Sequence, residues 1–117
     1  MIEILNDFKS LKITKAQLQS KIGENLHQVK IEKPVIVNDK DVILVLEKCK
    51  KNEVTVNDLV DWVNVVWFTE LFEYAEKYQD SIASVMSELE ELDEEGNELT
   101  DEKIGVYIDA LNSNREL

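Results

Sequence analysis

Four segments of the chain share one local pattern of apolar and polar positions. Each reads as an apolar residue, then Thr or Asn, then three residues of any type, then a second apolar residue. A Thr or Asn before a helix accepts a free backbone N–H of the first helical turn. The flanking apolar residues match the two positions of a hydrophobic staple. The pattern therefore predicts four helix starts, with the N-caps Thr14, Asn38, Thr55 and Thr100.

Apolar residues recur at helical spacing through most of the sequence, and they extend these starts into six helices. The predicted helices are 2–11, 15–22, 39–51, 56–78, 81–94 and 101–113. Asp80 is expected to cap the fifth helix. Residues 24–37 look irregular, and the sequence leaves open whether their apolar end at 35–37 forms a short extended piece, because one strand alone has no partner. The pattern favours an all-α bundle of five to six helices that forms one domain over 1–117.

The fourth predicted helix, 56–78, differs from the others because its middle is apolar on nearly every side. Six of the eight aromatic residues of the chain lie within 62–78. A helix of this kind is surrounded by protein, so we expect it at the centre of the bundle. The alternative is an exposed aromatic strip that binds a partner or a second copy of the chain, which leaves a homodimer open.

The charge is strongly acidic and unevenly placed. The chain carries 25 Asp and Glu against 13 Lys and Arg, a net charge of −12. Residues 1–52 hold ten Lys against seven acids, whereas 53–117 hold three bases against 18 acids. Proteins that bind nucleic acids or anionic membranes do so through Lys and Arg, so direct binding to either is not expected. With no targeting segment visible, we expect a cytoplasmic protein in which Cys49 stays reduced.

Residues for catalysis or metal binding are scarce. One Cys and one His exclude an internal disulfide, a Cys-based zinc site and a His cluster, and three Gly leave no glycine-rich phosphate loop. The sequence supplies no partner that would make His27 a general base, and Cys49 falls on the apolar side of its helix. We therefore expect no catalytic residue, no cofactor and no metal.

One segment nevertheless has the outline of a calcium loop. If 91–102 is aligned with an EF-hand, then Asp93, Glu95 and Glu102 fall at ligand positions and Gly96 at the sharp turn. The first position is Glu instead of Asp, and the chain has no second loop to pair with. A plain helix–turn–helix is the favoured interpretation.

The strongest functional signal is a run of acids. Residues 87–102 contain nine acids and no base, although like charges at helical spacing repel one another. A solvated surface is one explanation, and a face kept acidic for a basic protein partner is the other. Tyr107 is an aromatic anchor candidate beside that face, or else a core residue. The residues expected to contact the partner are Glu88, Glu91, Glu94, Glu95, Glu98, Asp101, Glu102 and Tyr107.

In its size, acidity and helical layout, the chain resembles the immunity proteins of bacterial toxin–immunity systems. The resemblance implies a non-catalytic inhibitor that covers a toxin domain, often a nuclease with a basic active site. The colicin-nuclease branch carries paired tyrosines on a short helix, whereas Tyr74 and Tyr78 here fall in the predicted fourth helix. A helical adaptor or regulatory subunit without a toxin partner is the alternative. A nucleic-acid mimic that occupies a DNA- or RNA-binding protein is a further interpretation, and it overlaps with the immunity-type inhibitor.

Overall fold

The computed structural model describes residues 1–93 and 98–117, and within these ranges the chain is mostly helical. It contains six α-helices and two short strands, with one strand after the second helix and the other after the fourth. The elements are α1 (Ile2–Lys9), α2 (Lys15–Ile22), β1 (Val35–Val37), α3 (Asp39–Lys50), α4 (Val56–Phe68), β2 (Phe72–Tyr74), α5 (Gln79–Glu90) and α6 (Asp101–Asn112). Single 3₁₀ turns lie at Leu26–Gln28, Glu76–Tyr78 and Glu91–Asp93.

The four predicted helix starts are confirmed, each with its Thr or Asn at the N-cap. The Thr55 hydroxyl accepts the Asp58 N–H at 3.0 Å, and the Asp58 carboxylate accepts the Thr55 N–H at 3.1 Å. At α3 the Asp41 carboxylate accepts the Asn38 N–H at 2.8 Å. Asp therefore serves at this position as Glu or Gln does in a capping box. The expected cap at Asp80 is wrong, because α5 begins at Gln79, one residue before Asp80, and its N-cap is Tyr78.

The prediction of one long helix over 56–78 is also wrong, because α4 ends at Phe68. Thr69 takes an extended conformation there, and its hydroxyl donates to the Val65 carbonyl at 2.6 Å. The same oxygen accepts the Leu71 N–H at 3.3 Å. One side chain thus satisfies backbone groups on both sides of the helix end, without the Gly or Pro that usually marks a stop.

The apolar residues after Thr69 form β2, which supplies the partner that β1 lacked in the sequence prediction. The two strands are parallel, with Ile36 opposite Glu73. The Val35 N–H donates to the Leu71 carbonyl and the Ala75 N–H to the Val37 carbonyl, each at 2.9 Å. The all-α prediction therefore needs a correction: a small two-stranded parallel sheet accompanies the helices.

The core joins residues from every helix. In α4 six side chains are buried, and this helix contacts α1, α2, α3, α5 and β2. Trp62 is fully buried, whereas Trp67 is only partly buried. α6 packs on α3 and α5, and this contact places the predicted acidic face at one side of the bundle.

Candidate functional site

A groove lies where α5 and α6 meet. The inward side of α5 is set by apolar residues such as Val85 and Leu89, so Glu88 points to solvent. α6 begins at Thr100, whose hydroxyl accepts the Lys103 N–H at 3.1 Å. Its helical period then turns Tyr107 towards α5 and leaves Val106 exposed.

The groove consists of two adjoining cavities of about 420 Å³ each, which share Val106 and Tyr107. We call the two together the α5–α6 groove. One cavity is lined by Glu88, Val106, Tyr107, Ala110, Arg115, Glu116 and Leu117. The other is lined by Thr100, Glu102, Lys103, Val106 and Tyr107. An apolar floor with carboxylates at the rim fits a partner that brings both an apolar group and positive charge.

Tyr107 lies at the junction of the two cavities. The residue is buried, with 7% of its surface exposed, so it is first a core residue that shows one edge to the groove. Burial raises the pKa of its hydroxyl, and the Glu88 and Glu91 carboxylates raise that pKa further. Glu88 also lines the same cavity as Tyr107, so part of the acidic run lies beside the tyrosine.

Both cations that line the groove are already engaged. The Lys103 ammonium donates to the Glu98 carbonyl at 2.8 Å, and the Arg115 guanidinium donates to the Asp109 carboxylate at 2.8 Å. Neither base forms an ion pair with Glu88 or Glu102 in the part of the chain that the structure describes. Three carboxylates line the two cavities, Glu88, Glu102 and Glu116, and they outnumber the two cations, so the rim keeps a net negative charge.

The predicted contact residues divide into groups. Glu88, Glu102 and Tyr107 line the groove, and Glu91 lies close enough to Tyr107 to act on its pKa. Glu98 and Asp101 belong to the same acidic run and are exposed, but they line neither cavity. Asp101 and Glu102 also lie in the first turn of α6, where negative charge favours the helix. The predicted contacts Glu94 and Glu95 lie outside the described residues.

The structure describes only part of the predicted calcium loop. The expected ligand positions Asp93 and Glu95 and the sharp turn at Gly96 lie outside the described side chains. Among the side chains described within 1–92 and 98–117, no three His, Cys, Asp or Glu are grouped so that they could hold a metal ion. In the same ranges, no helix combines the length and apolarity needed to cross a membrane.

The structure places Cys49 in the core and His27 at the end of α4. Cys49 is buried, and desolvation together with the nearby Asp58 carboxylate raises the pKa of its thiol, which keeps it protonated and unreactive. The exposed His27 donates from Nδ1 to the Phe68 carbonyl at 3.0 Å. This histidine caps the end of α4, a contact across 41 residues that no local sequence signal could reveal.

Sequence reasoning missed two depressions beside the end of α4. A cavity of about 660 Å³ lies between α2, the Leu26–Gln28 turn and α4, with His27 and Phe68 in its walls. A second one, of about 400 Å³, runs beside β2 and is walled by Trp67. The rings of Trp67 and Phe68 stack at 5.4 Å between them, and Phe68 is 48% exposed. The exposed aromatic strip that the sequence left open is thus limited to the last turn of α4.

No family model matches the chain, and comparisons with curated proteins and with solved structures return no significant match. What the groove binds must therefore follow from its own residues.

Proposed function

We propose that the chain is a non-catalytic protein-binding module that uses the α5–α6 groove to bind a basic protein surface. The observation that carries this proposal is the edge of Tyr107 in a groove whose rim holds Glu88 and Glu102. In its more specific form, the partner is a basic, nuclease-like toxin domain and the chain is its immunity-type inhibitor. The resemblance in size, acidity and helical layout supports that form.

Charge and shape contribute different parts of the binding. Residues 53–117 carry a net charge of −15, which attracts a basic partner from a distance and accelerates association. The groove supplies the short-range contact, because Val106 and Tyr107 offer apolar surface that the partner can desolvate. Association should therefore depend on salt, whereas dissociation should depend on the apolar contact.

An adaptor or regulatory subunit without a toxin partner is the alternative function. Its partner would bind the same acidic groove, but binding would leave the partner's activity intact. The two functions are separated by adding the purified chain to the captured partner and measuring nuclease activity. If the partner loses its nuclease activity when an equimolar amount of the chain is added, the result supports the inhibitor function. If the activity is unchanged, the result supports the adaptor function.

The test of the groove begins with capture of the partner from a lysate at low salt and its release at high salt. Association rates are then measured against ionic strength for wild type and for a Glu88→Gln/Glu102→Gln variant. We expect the variant to associate several-fold more slowly at low salt and with a flatter salt dependence. A Val106→Ser variant should instead dissociate faster.

A matched control removes the same charge elsewhere. Glu24 and Glu32 are exposed acids in the first half of the chain, so Glu24→Gln/Glu32→Gln changes the net charge equally. If this control slows association as much as the groove variant does, then only net charge matters and the groove assignment is wrong.

A further inference from the structure

A cavity open to solvent lies between α2, the Leu26–Gln28 turn and the end of α4. We call it the α2–α4 cavity. Its volume of about 660 Å³ falls within the range of about 300–1,000 Å³ that is usual for small-molecule sites. Like such sites, it combines an apolar floor with a few polar groups in its walls. Leu26 and Val65, which are 4% and 2% exposed, form that floor.

An exposed aromatic ring forms one wall of the α2–α4 cavity. Phe68 is 48% exposed, and its ring stacks on Trp67 with the ring planes 8° apart. Trp67 lines the neighbouring cavity beside β2 and does not line this one. The indole therefore covers one face of the Phe68 ring and leaves the other face to the α2–α4 cavity. Because aromatic rings pair in offset stacks, a flat aromatic group is the ligand that covers this face best.

Two hydrogen bonds hold the loop walls of the cavity against its helices. His27 donates from Nδ1 to the Phe68 carbonyl at 3.0 Å, which fixes the Leu26–Gln28 turn at the end of α4. The Gln19 amide donates from Nε2 to the Glu24 carbonyl at 2.9 Å, which fixes the chain that follows α2. The cavity is therefore formed without a ligand, so binding loses little free energy to ordering of the protein.

Two polar side chains of the lining have no partner within the described part of the chain. Lys15 and Asn64 are half-buried, and neither side chain forms a hydrogen bond or an ion pair among these residues. Burial removes part of the water from both groups. A ligand that accepts hydrogen bonds from both of them would replace these lost contacts.

The charges around the cavity favour an anion at the Lys15 end. Lys15 is the first residue of α2, whereas Glu24, the acid in the lining, follows the end of that helix. Eight helical residues rise about 12 Å, so the two charges lie at opposite ends of α2. The first turn of α2 carries no acid, so the positive end of the helix dipole adds to the Lys15 charge. Residues 1–52, which contain this helix, are also the basic half of the chain, with ten Lys against seven acids.

We propose that the α2–α4 cavity binds a small molecule that combines a flat aromatic ring with a carboxylate. The ring lies on the free face of Phe68, and the carboxylate accepts hydrogen bonds from the Lys15 ammonium and the Asn64 amide. A cationic ligand would meet Lys15 as a like charge, and a ligand without a flat ring would cover the Phe68 face poorly. The site is separate from the α5–α6 groove, and it does not depend on the proposed function.

The test uses cinnamate, a flat aromatic carboxylate, which is titrated into the ¹⁵N-labelled full chain. We expect saturable shifts of the His27 and Phe68 backbone amides and of the Asn64 side-chain amide. Cinnamamide keeps the ring and the shape but not the charge, so it should bind about tenfold more weakly. Cyclohexanepropionate keeps the charge but has no flat ring, so it should also bind more weakly.

Variants then locate the binding. Lys15→Gln should weaken cinnamate about tenfold and leave cinnamamide nearly unchanged, because only the anion pairs with the ammonium. Lys21→Gln is the matched control, since it removes the same charge from an exposed residue of α2 that does not line the cavity, and binding should not change. Phe68→Leu keeps an apolar side chain but loses the flat face, so it should weaken both probes.

Several results would overturn the proposal. Equal binding of cinnamate and cinnamamide would point instead to an aromatic side chain of a partner protein, which brings a ring without a carboxylate. An equal effect of Lys15→Gln and Lys21→Gln would reduce the binding to general attraction by positive charge. Shifts confined to Trp67 and Tyr74 would place the probe beside β2, and the absence of saturable binding at millimolar cinnamate would leave the cavity without this ligand.

Discussion

The indole N–H of Trp62 donates a hydrogen bond of 3.0 Å to the backbone carbonyl of Lys9. This bond joins the middle of α4 to the last residue of α1, across 53 positions of sequence. The Lys9 ammonium in turn lies 3.3 Å from the Ile36 carbonyl and 3.5 Å from the Asp41 carboxylate. A single residue therefore connects α1 with α4, β1 and α3.

Trp62→Phe should destabilise the fold by about 2 kcal/mol. The substitution removes part of a fully buried ring and leaves the Lys9 carbonyl without its donor. The measurement is the free energy of unfolding from urea denaturation followed by circular dichroism.

Trp67→Phe is the matched control, because Trp67 is only partly buried and its side chain is stacked on Phe68. Its cost should stay below about 1 kcal/mol. Equal costs for the two tryptophans would contradict the assignment of Trp62 as the core tryptophan.

Thr55→Ala should cost about 1 kcal/mol of stability, because α4 loses the hydroxyl that accepts the Asp58 N–H. Thr55→Ser keeps that oxygen and should retain most of the stability. Asn57→Ala, at an exposed position in the same first turn, is the control and should be neutral or slightly stabilising. The interpretation fails if the Ala and Ser variants at Thr55 are equally stable.

Stability should fall at alkaline pH, because burial raises the pKa values of Tyr74 and Tyr107. Below the usual tyrosine pKa of about 10, both hydroxyls hold their protons whether the chain is folded or unfolded. Above it the unfolded chain releases protons that the folded chain keeps. The unfolded state then binds fewer protons, so the free energy of unfolding decreases as the pH rises.

Urea denaturation at about pH 8 and about pH 10.5 measures this loss. Tyr74→Phe/Tyr107→Phe should reduce it clearly. Tyr74→Phe alone should also raise stability near neutral pH by about 1 kcal/mol, since it removes the unpartnered hydroxyl. An alkaline loss that is the same in wild type and double variant would refute the explanation.

Calcium at millimolar concentration should not raise the melting temperature more than magnesium does. A working calcium loop over 91–102 would stabilise the folded state by mass action. The check is thermal unfolding with either ion, for wild type and for Glu102→Gln. A calcium-specific rise that disappears in the variant would show that the loop binds the ion.

The helix starts were predictable because a cap is a local event. Thr14, Asn38, Thr55 and Thr100 each act on the next three residues, and nearby sequence contains the whole interaction. The end of α4 was not predictable in this way. The apolar run continues through Leu71 and Phe72, and both are buried, so hydrophobicity alone does not distinguish the helix from the strand that follows.

In the candidate sites, too, the local features could be predicted from the sequence and the features that depend on tertiary packing could not. Glu88, Glu102 and Tyr107 were predicted from local charge and helical period, and the structure brings them to one groove. The cavity beside β2 could not be predicted, because it needs the strand at Phe72–Tyr74 and the stacked Trp67. The Tyr74 hydroxyl became significant only when the packing showed it to be without a partner.

The pairing of β1 with β2 has a consequence for the order of folding. The strands are parallel, and both α3 and α4 lie between them in the sequence. Closing so long a segment has an entropic cost that local helix contacts do not have, so we expect the strand pair to form after the helices have docked. The cavity beside β2 would then form only in the last step. The backbone amides of β2 should exchange hydrogen by local opening, faster than those of α4.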